Sequence, residues 1–75
     1  MNIIEIFSNN LKMYRNKLGL SQEAFANKAG LHRTYISALE CQKRNIALNN
    51  IEKIANALEI EPYVLFIENN LENKL

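Results

Sequence analysis

Ser21 to Glu40 reads SQEAFANKAGLHRTYISALE, and the way this stretch divides decides the fold. Ser21, with Glu23 two residues later, supplies a side-chain oxygen and an acid at a helix start, where unpaired backbone N–H groups favour both. Phe25, Ala26 and Ala29 then recur at helical spacing. Gly30 ends the helix, since glycine enters the left-handed conformation without penalty. Leu31 fills the turn and His32-Arg33-Thr34 opens a second helix, with Ile36 and Leu39 as its apolar residues. Between these lie Arg33, Thr34, Tyr35, Ser37 and Ala38, a run of small and hydrogen-bonding side chains expected to face away from the core.

Counted from Gln22, Ala26 follows at four residues, Gly30 at eight and Ile36 at fourteen. Each position has a physical demand. Ala26 must be small where the second helix crosses the first, Gly30 makes the turn, and Ile36 plugs the angle between the two. This is a helix-turn-helix whose polar face suits base edges. The constellation resembles the phage-repressor (Xre-like) helix-turn-helix family over about residues 7–67, nearly the whole chain. Arg33-Thr34-Tyr35-Ile36-Ser37, followed by Glu40 and then Arg44-Asn45, looks like the controller proteins of restriction–modification systems.

The resemblance carries implications for single residues. The family pairs an arginine seven residues before the first glutamine with a glutamate eighteen after it, which implies a bridge between Arg15 and Glu40. Arg44 matches the loop arginine of controller proteins. Ala38 departs from relatives that carry glycine there, and its methyl group bears on how closely backbone and DNA can approach. Controller proteins regulate their own operon and that of the endonuclease. Antitoxins and small phage-type repressors share the motif, and a helical protein-interaction module without DNA binding is the alternative from a different class.

N-terminal to the motif, Phe7, Leu11, Tyr14 and Leu18 form a stripe that Ile3 and Ile4 extend, predicting a helix from Asn2 or Ile3 to Leu18 closed by Gly19. C-terminal to it, Cys41-Gln42-Lys43-Arg44-Asn45 reads as an exposed loop. A fourth helix from about Asn49 carries Ile51, Ile54, Ala55 and Leu58 at i, i+3, i+4 and i+7. Pro62 is suited to the first turn of a fifth helix running to Ile67 or Glu68. Tyr63, Val64, Leu65, Phe66 and Ile67 cannot all face inward from two turns, so Tyr63, Val64, Phe66 and Ile67 are expected to form a dimer interface. The expectation is an all-α, compact five-helix domain over residues 1–68, lambda-repressor-like, with residues 69–75 a frayed tail.

Charge divides along the chain. Residues 12–44 hold seven basic and two acidic side chains, a net of +5, whereas residues 45–75 carry a net of −3. Positive potential therefore gathers around the second helix of the motif, as a phosphate-binding surface requires. At 75 residues the chain is one domain that buries about 60% of its unfolded surface, so a partner subunit would help its stability. A single cysteine gives no disulfide framework, and no apolar run approaches the ~20 residues that span a bilayer. The N-terminal residues lack a secretion signal, so the expected location is the cytoplasm. One histidine, one cysteine and no glycine-rich phosphate loop argue against an enzyme, a cofactor or a metal site. No sensing domain fits, which argues against a small-molecule ligand.

The expected mechanism is a homodimer on a palindromic double-stranded operator, its paired motif helices about 34 Å apart in successive major grooves. Arg33 is the first candidate for base reading, since guanidinium meets guanine O6 and N7 together. Thr34 and Tyr35 follow, then Ser37 and Ala38. Gln22, His32, Lys43, Arg44, Asn45, Lys17 and Lys28 are candidates for phosphate contacts. Activation at a promoter would add RNA polymerase as a partner.

Overall fold

The computed structural model describes residues 2–68; the tail expected at 69–75 lies outside them. Four α-helices and one 3-10 turn make up the fold among the described residues: α1 (Ile3–Lys17), α2 (Gln22–Ala29), α3 (Arg33–Glu40), α4 (Leu48–Leu58) and the 3-10 turn Pro62–Phe66.

The helix ends follow from local chemistry. Asn2 caps α1 by accepting the Glu5 N–H at 3.1 Å, and Ser21 caps α2 by accepting the Ala24 N–H at 3.0 Å. Gly19 and Gly30 stand at φ 72° and 73°, and Leu31 N–H returns to Ala26 O at 2.9 Å to close the end of α2. Two further helices turn left-handed without glycine, at Gln42 after α3 and Glu59 after α4, both at φ 63°. In each, the residue that follows bonds back into the last turn: Lys43 N–H to Ala38 O at 2.9 Å and Ile60 N–H to Ala55 O at 3.1 Å. Sequence gives no cue to either turn.

The core gathers Phe7, Leu11, Phe25, Ala26, Ile36, Leu39, Ile54, Ala55, Leu58 and Leu65 between α1, α2, α3 and α4. Its inner face on α1 is rotated from the expected stripe. Ile6 is buried, whereas Ile3, Ile4 and Leu18 are exposed. The first turn of α1 overhangs the core, where Ile3 and Ile4 line an open groove with Phe7, Phe66 and the segment Arg44–Ile46. Leu48 opens α4 one residue before the expected start, and it is 84% exposed.

The fifth helix is a correction: residues 62–66 form a 3-10 turn, not an α-helix. The reason lies on α1. The buried Asn10 side chain donates through Nδ2 to Leu65 O and to Ile67 O, each at 2.8 Å. These carbonyls turn toward α1 rather than along a helix axis, and Ile67 is extended. Leu65 plugs the core and Phe66 stacks on Phe7 with ring centroids 5.6 Å apart. Among the described residues, every buried side-chain nitrogen and oxygen has a hydrogen-bond partner, and no helix is long and apolar enough to cross a membrane.

Asn10→Ala would strand the two carbonyls it binds. An expected loss of about 1–3 kcal/mol would show as a lower urea midpoint with an unchanged m-value, and an unchanged midpoint would contradict the clamp.

Candidate nucleic-acid interface

α3 is held from behind. Ile36 and Leu39 are buried, and Ser8 Oγ of α1 donates to Leu39 O. At its C-terminal end, Glu40 receives Arg15 through two parallel bonds, Nε to Oε2 at 2.6 Å and Nη2 to Oε1 at 3.0 Å. Arg15 Nη1 donates to Leu20 O at 2.7 Å, and Gln22 Nε2 donates to Glu40 Oε1 at 3.1 Å. Both side chains are nearly enclosed, at 10% and 3% exposure. The hydrogen bond to Glu40 is the larger influence raising the Arg15 pKa above its ordinary value. Burial opposes it, and the carboxylate charge adds to it. One carboxylate thus joins α1, α2 and α3.

The outer face of α3 carries Arg33 and Thr34 exposed, with Tyr35, Ser37 and Ala38 half-buried. His32 precedes it as N-cap, its Nδ1 accepting the Thr34 N–H at 3.2 Å and lying 2.8 Å from Thr34 Oγ1. Tyr35 does not simply project outward. Its ring packs against the edge of the core, and its hydroxyl accepts from Asn50 Nδ2 at 3.1 Å and from Ala47 N–H at 3.5 Å. Above that ring stands the Arg44 guanidinium, 5.2 Å from the centroid. Lys43, Arg44 and Asn45 are exposed beside the end of α3.

Three of the expected phosphate ligands are otherwise engaged. The Gln22 amide nitrogen turns inward to Glu40. Lys28 pairs with Glu59 at 2.8 Å, tying α2 to the end of α4. That bond is the main reason the exposed Glu59 carboxyl titrates below the ordinary glutamate value. Lys17 lies over the Tyr14 ring, 5.4 Å from its centroid. In the expected interface set, Tyr63 and Ile67 are exposed, Val64 is half-buried, and Phe66 is half-covered by its stack on Phe7.

Asn50 and Ala47 are the residues at this surface that sequence reasoning missed. An asparagine in the first turn of a helix is unremarkable by itself, and no local spacing links it to a tyrosine fifteen residues earlier. No group of three or more metal-ligating side chains converges among the described residues.

Comparison with known proteins sharpens this picture. The helix-turn-helix family profile matches residues 11–65. The control protein C.SmaI of Serratia marcescens is 40% identical over 74 residues, covering 99% of this chain and 88% of its own. A hypothetical transcription factor of Neisseria meningitidis is 45% identical over 62 residues, and this chain spans 58% of that relative's length. Its crystal structure superposes with a TM-score of 0.89 at 40% identity, covering 97% of this chain and 84% of that one. The restriction–modification controller protein C.Esp1396I, solved as a tetramer on its natural 35-base-pair operator, superposes with a TM-score of 0.80 at 35% identity, over 88% of this chain and 87% of that one.

Arg15→Met would leave the enclosed Glu40 without its main partner. We expect a loss of about 3–5 kcal/mol, with most of it recovered when Glu40→Leu is added. A denaturant double-mutant cycle without such recovery would contradict the account of the bridge.

Proposed function

We infer, for a chain that belongs to the helix-turn-helix family and within it to the control proteins of restriction–modification systems, that it is a sequence-specific transcriptional regulator. It binds a palindromic DNA operator as a dimer, regulates its own gene and controls endonuclease expression. The observation that carries this reading is the division of α3 into two faces. Glu40, Ile36 and Leu39 fasten its inner side, while Arg33 and Thr34 open its first turn to solvent. A helix so held enters a groove as a rigid body, with little side-chain order left to impose on the scaffold.

Arg33 reads a guanine edge, aided by Thr34, Tyr35, Ser37 and Ala38. Lys43, Arg44 and Asn45 clamp the phosphate backbone beside α3, and the open N–H groups at the start of α2 add a further phosphate contact. Gln22 supports that contact from its backbone, its side-chain nitrogen being bound to Glu40. Lys17 and Lys28 contribute long-range attraction rather than direct bonds, and His32 serves chiefly as the cap of α3. The protein works in the cytoplasm without catalysis, and when it activates a promoter it does so alongside RNA polymerase.

Dimerisation places Tyr63 and Ile67 at the subunit contact, with Val64 and Phe66 behind them. The operator-bound tetramer of C.Esp1396I supports an assembly of paired dimers on adjoining sites.

The test is binding to the DNA upstream of the chain's own gene. Arg33→Ala is expected to cost about 1–3 kcal/mol on the operator and to flatten preference at one base position, whereas Arg44→Ala weakens all sequences alike and lowers the salt slope by about one. Equal loss on operator and random DNA for Arg33→Ala would remove it from the base-reading set. Tyr63→Glu combined with Ile67→Glu, both at exposed positions, is expected to give folded monomers in sedimentation velocity. A surviving dimer would place the contact elsewhere.

A further inference from the structure

A hydroxyl group is an ambiguous reader, because it holds one proton and two lone pairs and rotates to suit either a donor or an acceptor. Serine and threonine accordingly contact any base edge. The first turn of α3 carries two hydroxyls, on Thr34 and Tyr35, and each is already committed inside the protein.

A main-chain N–H can only donate. The Thr34 N–H bond to His32 Nδ1 at 3.2 Å therefore identifies Nδ1 as the unprotonated ring nitrogen, with the imidazole proton on Nε2. Thr34 Oγ1, 2.8 Å from the same Nδ1, must then be the donor of that contact. Its one proton is used, and only lone pairs face outward.

Tyr35 stands in the opposite condition. Its phenol oxygen meets Asn50 Nδ2 at 3.1 Å and the Ala47 N–H at 3.5 Å, two groups that can only donate. The oxygen accepts from both, and its proton remains to be given to something outside. The ring cannot readily swing away, since it packs against the core on one side and carries Arg44 on another.

We propose that His32 and Asn50 set the hydrogen-bond polarity of the reading surface, so that Thr34 accepts and Tyr35 donates. Neither positioning residue needs to touch a base. Thr34 then selects an amino group, adenine N6 or cytosine N4, and Tyr35 selects an acceptor: guanine O6 or N7, adenine N7 or thymine O4. Asn50 belongs to α4, so a residue outside the helix-turn-helix decides what the motif prefers. The inference rests on the reading of α3 as the element that enters the major groove.

The experiment is selection of bound duplexes from a randomised double-stranded DNA pool, read by sequencing, for the full chain and its variants. Asn50→Asp replaces the amide donor with a carboxylate that accepts a hydrogen bond from the phenol O–H, so that Tyr35 presents only lone pairs outward. An acid in the first turn of a helix favours folding, and circular dichroism checks it. The expected result is a switch of about tenfold at one position per half-site, from acceptor-presenting to amino-presenting bases. Asn50→Ala should broaden that position without switching it, which keeps the test decisive if the aspartate variant unfolds. In a Tyr35→Phe background, Asn50→Asp should change nothing further. His32→Gly, which retains a residue tolerated at a helix N-cap, should relax the preference of Thr34 at a different position. Identical selected sequences for the parent, both Asn50 variants and His32→Gly would overturn the inference while leaving DNA binding intact. A parent chain that selects no sequence would overturn the DNA-binding reading and this inference together.

Discussion

The Arg15–Glu40 pair is the constraint on which the remaining geometry depends. A carboxylate almost fully enclosed at the end of α3 is tolerable only because three donors surround it, two from Arg15 and one from Gln22. The third arginine nitrogen reaches Leu20 O in the link between α1 and α2, so the bridge fixes that link as well. An apolar contact in the same place would bind the helices with comparable strength. It would not fix their rotation, because hydrophobic contact is non-directional whereas a bidentate guanidinium–carboxylate pair accepts one relative orientation. For a helix as short as α3, that rotational definition decides which side chains face outward.

Much of this was legible in the sequence, for reasons that are local. Ser21, Gly19, Gly30 and Pro62 act through their own backbone preferences, and their positions mark element boundaries with little help from the rest of the chain. The spacing of Gln22, Ala26, Gly30 and Ile36 likewise belongs to one pair of helices. What escaped was non-local. Asn10 meets carbonyls 55 and 57 residues away, where the expected fifth helix is a 3-10 turn, and no local spacing announces that contact. Tyr35 read as an outward side chain because nothing near it announces Asn50. Along α1, Ile6 is buried while Ile3 and Ile4 are exposed, a distinction that the periodicity of the stripe does not make.

The charged side chains show why composition alone reads a surface poorly. Lys28 counts toward the positive half of the chain, but Glu59 of the negative half sits against it. Gln22 heads α2 where an anion would be welcome, but its amide nitrogen is directed inward. Arg33, Lys43 and Arg44 stand exposed at the two ends of α3, an arrangement that the segment totals do not reveal.

The two left-handed turns at Gln42 and Glu59 bear on how this small domain could be made hardier. A side chain at such a backbone angle carries a strain of roughly 1–2 kcal/mol that glycine would relieve. At Glu59 the exchange would also sacrifice the exposed ion pair with Lys28. Gln42 is exposed and bound to nothing comparable, which leaves it as the place where thermal tolerance can be raised without disturbing either the core or the face of α3.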